Sequence, residues 1–168
     1  MPASEPSTSI SDPTALLLGQ LTFYRSTLLE KLSGLTEEQL RGSILPSGWS
    51  PLELLKHLVH VERRWMQWGF EGEQVPDPWG DNEPGTDRWG VDPEDSLKSL
   101  TARLQDQAAR TEAVVPTAAL TRRAATGGRF PSDPPTLGWI LLHLLQEYAR
   151  HVGQLDVVRE LIDGRTGE

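Results

Sequence analysis

The sequence predicts an all-α protein, a four-helix bundle. Three observations carry this expectation. Four long segments place apolar residues at helical spacing, capping residues precede them, and no segment alternates apolar and polar residues between hairpin turn signals. Two of the connections are long, which implies a bundle with two long crossings.

Residues 1–11 are rich in Ser and Pro and read as a disordered N-terminal tail. Asp12-Pro13 supplies an N-cap followed by Pro at the first helical position. The stripe Leu17, Leu21, Tyr24, Leu28, Leu32 follows, and Gly34 stops the helix. Thr36 with Gln39 predicts a short capped turn over 36–41. Ser50-Pro51-Leu52-Glu53 is a capping box that opens a second long helix, expected to reach about Phe70. Residues 71–92 are a Gly/Pro/Asp-rich loop containing Trp79 and Trp89, and a loop of that length in a compact domain is usually functional or mobile. Asp92-Pro93 predicts the cap of a third helix carrying Leu97, Leu100 and Leu104 and ending near Val115. A second loop, 116–135, leads to the last helix, which Gly164 ends.

Composition narrows the function classes. The 168 residues carry 16 Lys+Arg against 24 Asp+Glu, a net charge of −8, which argues against nucleic-acid binding. There is no cysteine, so any thiol chemistry needs a thiol from a cofactor or substrate. The N-terminus lacks the basic start and apolar core of a signal peptide, and no apolar run is long enough for a membrane span. A soluble, cytoplasmic protein is expected.

The chemical signal lies in the last helix. Its apolar stripe is Leu137, Ile140, Leu144, Leu155, Val158 and Ile162, and the missing members of that stripe are Glu147 and His151. These two share one helix face. A carboxylate and an imidazole placed where leucines are expected need partners, because unpaired burial costs several kcal/mol. Metal coordination is one way to supply them, and a local Glu–His hydrogen bond is the plainer alternative. A third ligand is expected from the second helix, whose apolar face holds Leu54, Leu58, Val61 and Trp65. His57 lies at the edge of that arc, while His60 is turned further towards the polar side and reads as solvent-facing. The set His57, Glu147, His151 suits Zn²⁺ or another divalent first-row ion and leaves a position open for water or a thiol.

The segments LGWILLHLLQEYARHVGQLDVVRELIDGRTG and GWSPLELLKHL, with the acidic Trp-containing loop DPWGDNEPGTDRW, resemble the DinB-like metalloprotein superfamily and within it the mycothiol S-transferase family. The HxxxExxxHxGxxD pattern from His143 to Asp156 is the most specific part, and the likeness spans about residues 12–166. It implies a single DinB/YfiT-like four-helix bundle, up-down-down-up, binding zinc or nickel through one His of the second helix and a His or Glu plus a His of the last. Matched by residue, that triad falls on His57, Glu147 and His151. The Glu at 147 points to the mycothiol branch, and thus to a transferase in which an ionised low-molecular-weight thiol attacks an electrophile. A metal-dependent hydrolase using water, and a non-catalytic metal-binding stress or dimerisation module, are the alternatives; a homodimer fits any of them.

Around the triad, His143, Gln154 and Tyr148 are candidates for orienting the ligands. Trp79 and Trp89 are candidates for pocket walls, or else anchors for their loop. Arg150 reads as a surface charge. Arg122 and Arg123 could meet an anionic substrate, though loop charges are usually only solvated.

Overall fold

The computed structural model describes residues 4–167. The protein is all-helical, with five α-helices: Pro13–Leu32 (α1), Glu37–Arg41 (α2), Pro51–Glu62 (α3), Leu97–Val114 (α4) and Leu137–Asp163 (α5). Among the described residues there is no strand, only the isolated bridges Asn82–Trp89 and Arg123–Thr136. No helix among them is long and apolar enough to cross a membrane. Each long helix packs on two others: α1 on α5 and α4, and α3 on α4 and α5. Leu21, Leu28, Leu58, Leu104, Leu144 and Leu155 are among the residues that fill the core between them.

The helix starts follow from local chemistry. The Asp12 carboxylate accepts from the Ala15 amide at 2.7 Å. Thr36 with Gln39 and Ser50 with Glu53 close reciprocal capping boxes at α2 and α3. Thr136 caps α5, and Gly164 ends it with φ 76°, a left-handed conformation that favours glycine. Of the expected disordered tail, residues 1–3 lie outside the described residues. Further along it, Pro6 packs against α1, where a β-carbon added to Gly19 would come within 2.9 Å of it.

Two local expectations need correction. Asp92-Pro93 does not cap α4; Ser96 does, in a capping box with Ser99. The Asp92 carboxylate is instead committed to the buried Lys56 ammonium at 2.7 Å, which also meets Asp95 at 2.8 Å, so the chain turns once more before the helix begins. The second long helix does reach Phe70, but its last eight residues, Arg63–Phe70, are π-helical. A π segment winds with i→i+5 hydrogen bonds, as in Glu71 N–H to Met66 O at 3.0 Å, and so turns its side chains away from the α-helical phase. The loop 116–135 is pinned to this segment by Arg129 N–H to Trp68 O and Ala125 N–H to Phe70 O. Gly128 permits that approach, since a β-carbon there would sit 2.2 Å from the Trp68 carbonyl oxygen.

Candidate metal centre

His57 on α3 faces Glu147 and His151 on α5, and one potential ligand atom from each lies within 4.8 Å of the others. His151 Nε2 is 3.2 Å and His57 Nε2 is 3.7 Å from the same oxygen, Glu147 Oε2. Ligand atoms about 2.1 Å from a tetrahedral ion are about 3.4 Å apart, so these gaps match that geometry closely.

The orientation of the rings is more telling than the distances. His57 Nδ1 donates to Asp81 Oδ2 at 2.6 Å, and His151 Nδ1 donates to Gln154 Oε1 at 2.8 Å. Both imidazoles therefore spend their Nδ1–H outwards and turn Nε2 inwards, towards an anionic oxygen. Two Nε2 lone pairs facing a carboxylate repel it unless a cation or an added proton lies between. With the added proton on each ring, hydrogen bonds from His151 and then His57, acting against burial, hold the Glu147 carboxyl well below the usual carboxylate range. An ionised carboxylate, two oriented Nε2 atoms and outward-bound Nδ1–H groups form a donor set suited to a divalent ion.

Asp81 was not foreseen from the sequence. It lies in the 71–92 loop and is buried, between the His57 imidazole and the Arg64 guanidinium, which grips both its oxygens. Burial would raise its carboxyl, but the hydrogen bonds from His57 and Arg64 prevail and bring it down to about 2. Carboxylate–imidazole pairs of this kind orient metal-binding histidines and raise their basicity. We expect Asp81→Asn to weaken zinc affinity about 10- to 100-fold, measured by competition with a chromogenic chelator, and also to lower Tm, because the buried Arg64 guanidinium loses its paired carboxylate.

The other named residues separate clearly. His143 Nε2 lies 3.3 Å from Glu147 Oε1, its ring stacked on Trp139 and close to Trp65, and burial lowers its pKa. Trp89 stacks on the His57 ring at 4.1 Å and, with Trp49 and Arg88, lines a cavity of about 190 Å³. Trp79 is elsewhere, 48% exposed against Trp68 and Arg64. Tyr148 is a correction: it turns into the core, where its hydroxyl donates to Glu62 at 2.6 Å. Arg122 and Arg150 are exposed; Arg123, also exposed, pairs with Asp133. A larger cavity, about 680 Å³, lies between α1 and α5 and includes none of the cluster residues in its lining.

His60 is the second correction. It is only 2% exposed, packed against Gly80, with its Nε2 accepting from Arg103 at 2.9 Å. Burial, with the charges of Arg63 and Arg103, pushes it down to about 3 from 6.5. A lowered imidazole contributes stability that is complete above pH 6.5 and is lost as pH falls towards 3. We expect the wild type to lose as much as about 1.4 kcal/mol per pH unit in that window from this group, and His60→Gln, which keeps an acceptor for Arg103, to show a shallower fall in urea titrations at pH 6.5 and 4.5.

Fold and cluster together define a class: an all-helical protein with two imidazoles and one carboxylate converging between two helices. The chain belongs to the mycothiol S-transferase family, whose profile matches residues 16–164. Its fold is also similar to the crystal structure of a conserved protein from Enterococcus faecalis, with a TM-score of 0.61 and 19% identity, over 93% of this chain and 100% of that one. At that identity the likeness speaks to the fold alone. No curated protein sequence matches the chain.

Proposed function

We propose that the protein is a metal-dependent thiol transferase of the mycothiol type, using His57, Glu147 and His151 to hold a divalent ion. The observation that carries this reading is the convergence of two inward-turned Nε2 atoms on Glu147 Oε2. Zn²⁺ is the expected ion and Ni²⁺ the second choice, since imidazole and carboxylate suit both. A bound divalent ion supplies Lewis acidity, which ionises a thiol that shares it.

The protein's own residues do the rest. Asp81 and Gln154 fix the two rings with Nε2 inwards, and Glu147 stays ionised. Trp89 covers one face of His57 and keeps water from it. Because the chain has no cysteine, the sulfur comes from a low-molecular-weight thiol, mycothiol in the family's name. The thiol proton leaves to solvent, a sulfur–carbon bond forms, and the leaving group departs with the bonding pair, so nothing is oxidised or reduced. In the same reading residues 12–166 are one domain with the up-down-down-up bundle topology, a cytoplasmic enzyme able to pair as a homodimer.

The test is chloride release from chlorodinitrobenzene, followed together with thiol loss. One chloride per thiol consumed, abolished by chelation and restored by zinc, is expected. Turnover that proceeds equally without thiol would move the assignment to water as nucleophile.

A further inference from the structure

Arg129 is anomalous among the arginines near the centre. In a chain of net charge −8, Arg25, Arg64 and Arg110 each grip a carboxylate. Arg129 has none: among the described residues its side chain makes no ion pair or hydrogen bond, and its Nη1 is fully buried without a partner. Three indoles hold it instead, with the guanidinium carbon 4.3 Å from the Trp65 ring centre, 5.1 Å from Trp79 and 5.7 Å from Trp68. Its backbone is fixed as well, through the Trp68 carbonyl, while Gln74 holds the neighbouring Gly127 carbonyl at 2.6 Å. Burial and the nearby charge of Arg64 both disfavour the guanidinium ion, and no carboxylate offsets them.

The position of this cation gives it a use. Trp65, over which it lies, is 4.3 Å ring to ring from His143, and His143 in turn touches Glu147. A rigid, unneutralised guanidinium thus stands one indole and one imidazole away from the cluster. Guanidinium binds carboxylates through a planar two-bonded fork, and stacking on aromatic rings fixes that plane in advance. We infer that Arg129 recognises a carboxylate on one of the two small-molecule reactants whose other end reaches the His57–Glu147–His151 cluster.

This inference rests on the transferase reading, and the experiment separates the two. With a neutral thiol fixed, kcat/KM is compared for chloronitrobenzoate and chloronitrobenzamide, each divided by its uncatalysed rate. With a neutral electrophile fixed, N-acetylcysteine is compared with N-acetylcysteinamide. The acid is expected to win in one of the pairs by about 10- to 100-fold, and the winning pair names the reactant that carries the anion. That preference should collapse towards unity in Arg129→Gln, fall part of the way in Arg129→Lys, and persist in Arg150→Gln, which removes an exposed charge from α5. Quenching of tryptophan fluorescence by chloronitrobenzoate and by the benzamide, without thiol, reads binding independently of turnover. If neither substrate pair turns over but the acid still binds more tightly, in an Arg129-dependent way, the transferase reading fails and the anion site stands. Acid and amide treated alike throughout, or a preference unchanged in Arg129→Gln and Arg129→Lys, would overturn the site.

Discussion

Replacing His57 by Ala is expected to abolish thiol-dependent turnover, by more than about 100-fold in kcat/KM, while the protein stays folded. Loss of a residue that merely orients a metal-binding histidine costs about 10- to 100-fold, so loss of a ligand itself should exceed that. The fold should survive because the buried Asp81 carboxylate keeps both its bonds to Arg64. The variant's Tm should fall by only a few degrees, and its zinc content should fall far below one per chain. His151→Ala should behave alike, leaving the Gln154 amide free. Glu147→Gln removes the charge but keeps the shape, and should weaken metal binding without loosening α5. Full activity in His57→Ala with normal metal content would mean that the ligand comes from elsewhere.

The second large effect concerns stability, and is expected at Glu62. This carboxylate is 0% exposed and receives Arg25 at 2.5 and 3.1 Å, Tyr148 at 2.6 Å and Thr111 at 2.7 Å. Burial, with Glu62 beside it, pushes the Tyr148 phenol well above its ordinary pKa, so it stays a donor. Glu62→Ala leaves the buried Tyr148 hydroxyl without its acceptor and the buried Arg25 guanidinium with only Glu112 at 3.3 Å, while Thr111 falls back on the Gln107 carbonyl, and should cost about 3–5 kcal/mol. For a chain of this size that corresponds to a Tm lowered by roughly 10 °C. The double variant Arg25→Met, Glu62→Met should lose less than Glu62→Ala alone, since removing both charges leaves neither stranded. Denaturant unfolding of the three proteins checks this, and a cost below about 1 kcal/mol for Glu62→Ala would contradict it.

These two clusters differ sharply in how visible they are beforehand. Glu147 and His151 interrupt an otherwise regular leucine stripe, so the conflict between polarity and expected burial can be read from α5 alone. His57 can be chosen from the phase of α3 relative to Leu54, Leu58 and Val61. The same phase argument fails for His60 because α3 has no solvent face there: Val59, His60 and Val61 are all buried, His60 between Arg103 of α4 and Gly80 of the 71–92 loop. Glu62 escapes for the same reason, as its partners come from α1, α4 and α5. Asp81 escapes because a loop has no period; nothing along the chain says which of its acidic residues folds back onto an imidazole. The π-helical turn of Arg63–Phe70 breaks the α-helical phase that sequence reading assumes, and that turn delivers Arg64 to Asp81 and Trp65 to His143. The helical class itself was legible from caps and periodicity, as the capping boxes at Thr36 and Ser50 illustrate.

The central claim is that a cation links α3 to α5 through His57, Glu147 and His151. Isothermal titration of the chelator-treated protein with zinc tests it most directly, alongside elemental analysis of the protein as purified. One tight site per chain, a higher Tm on binding, and loss of that site in His57→Ala and His151→Ala are expected. Stoichiometric binding that survives both substitutions, or no binding at all by the intact protein, would contradict it.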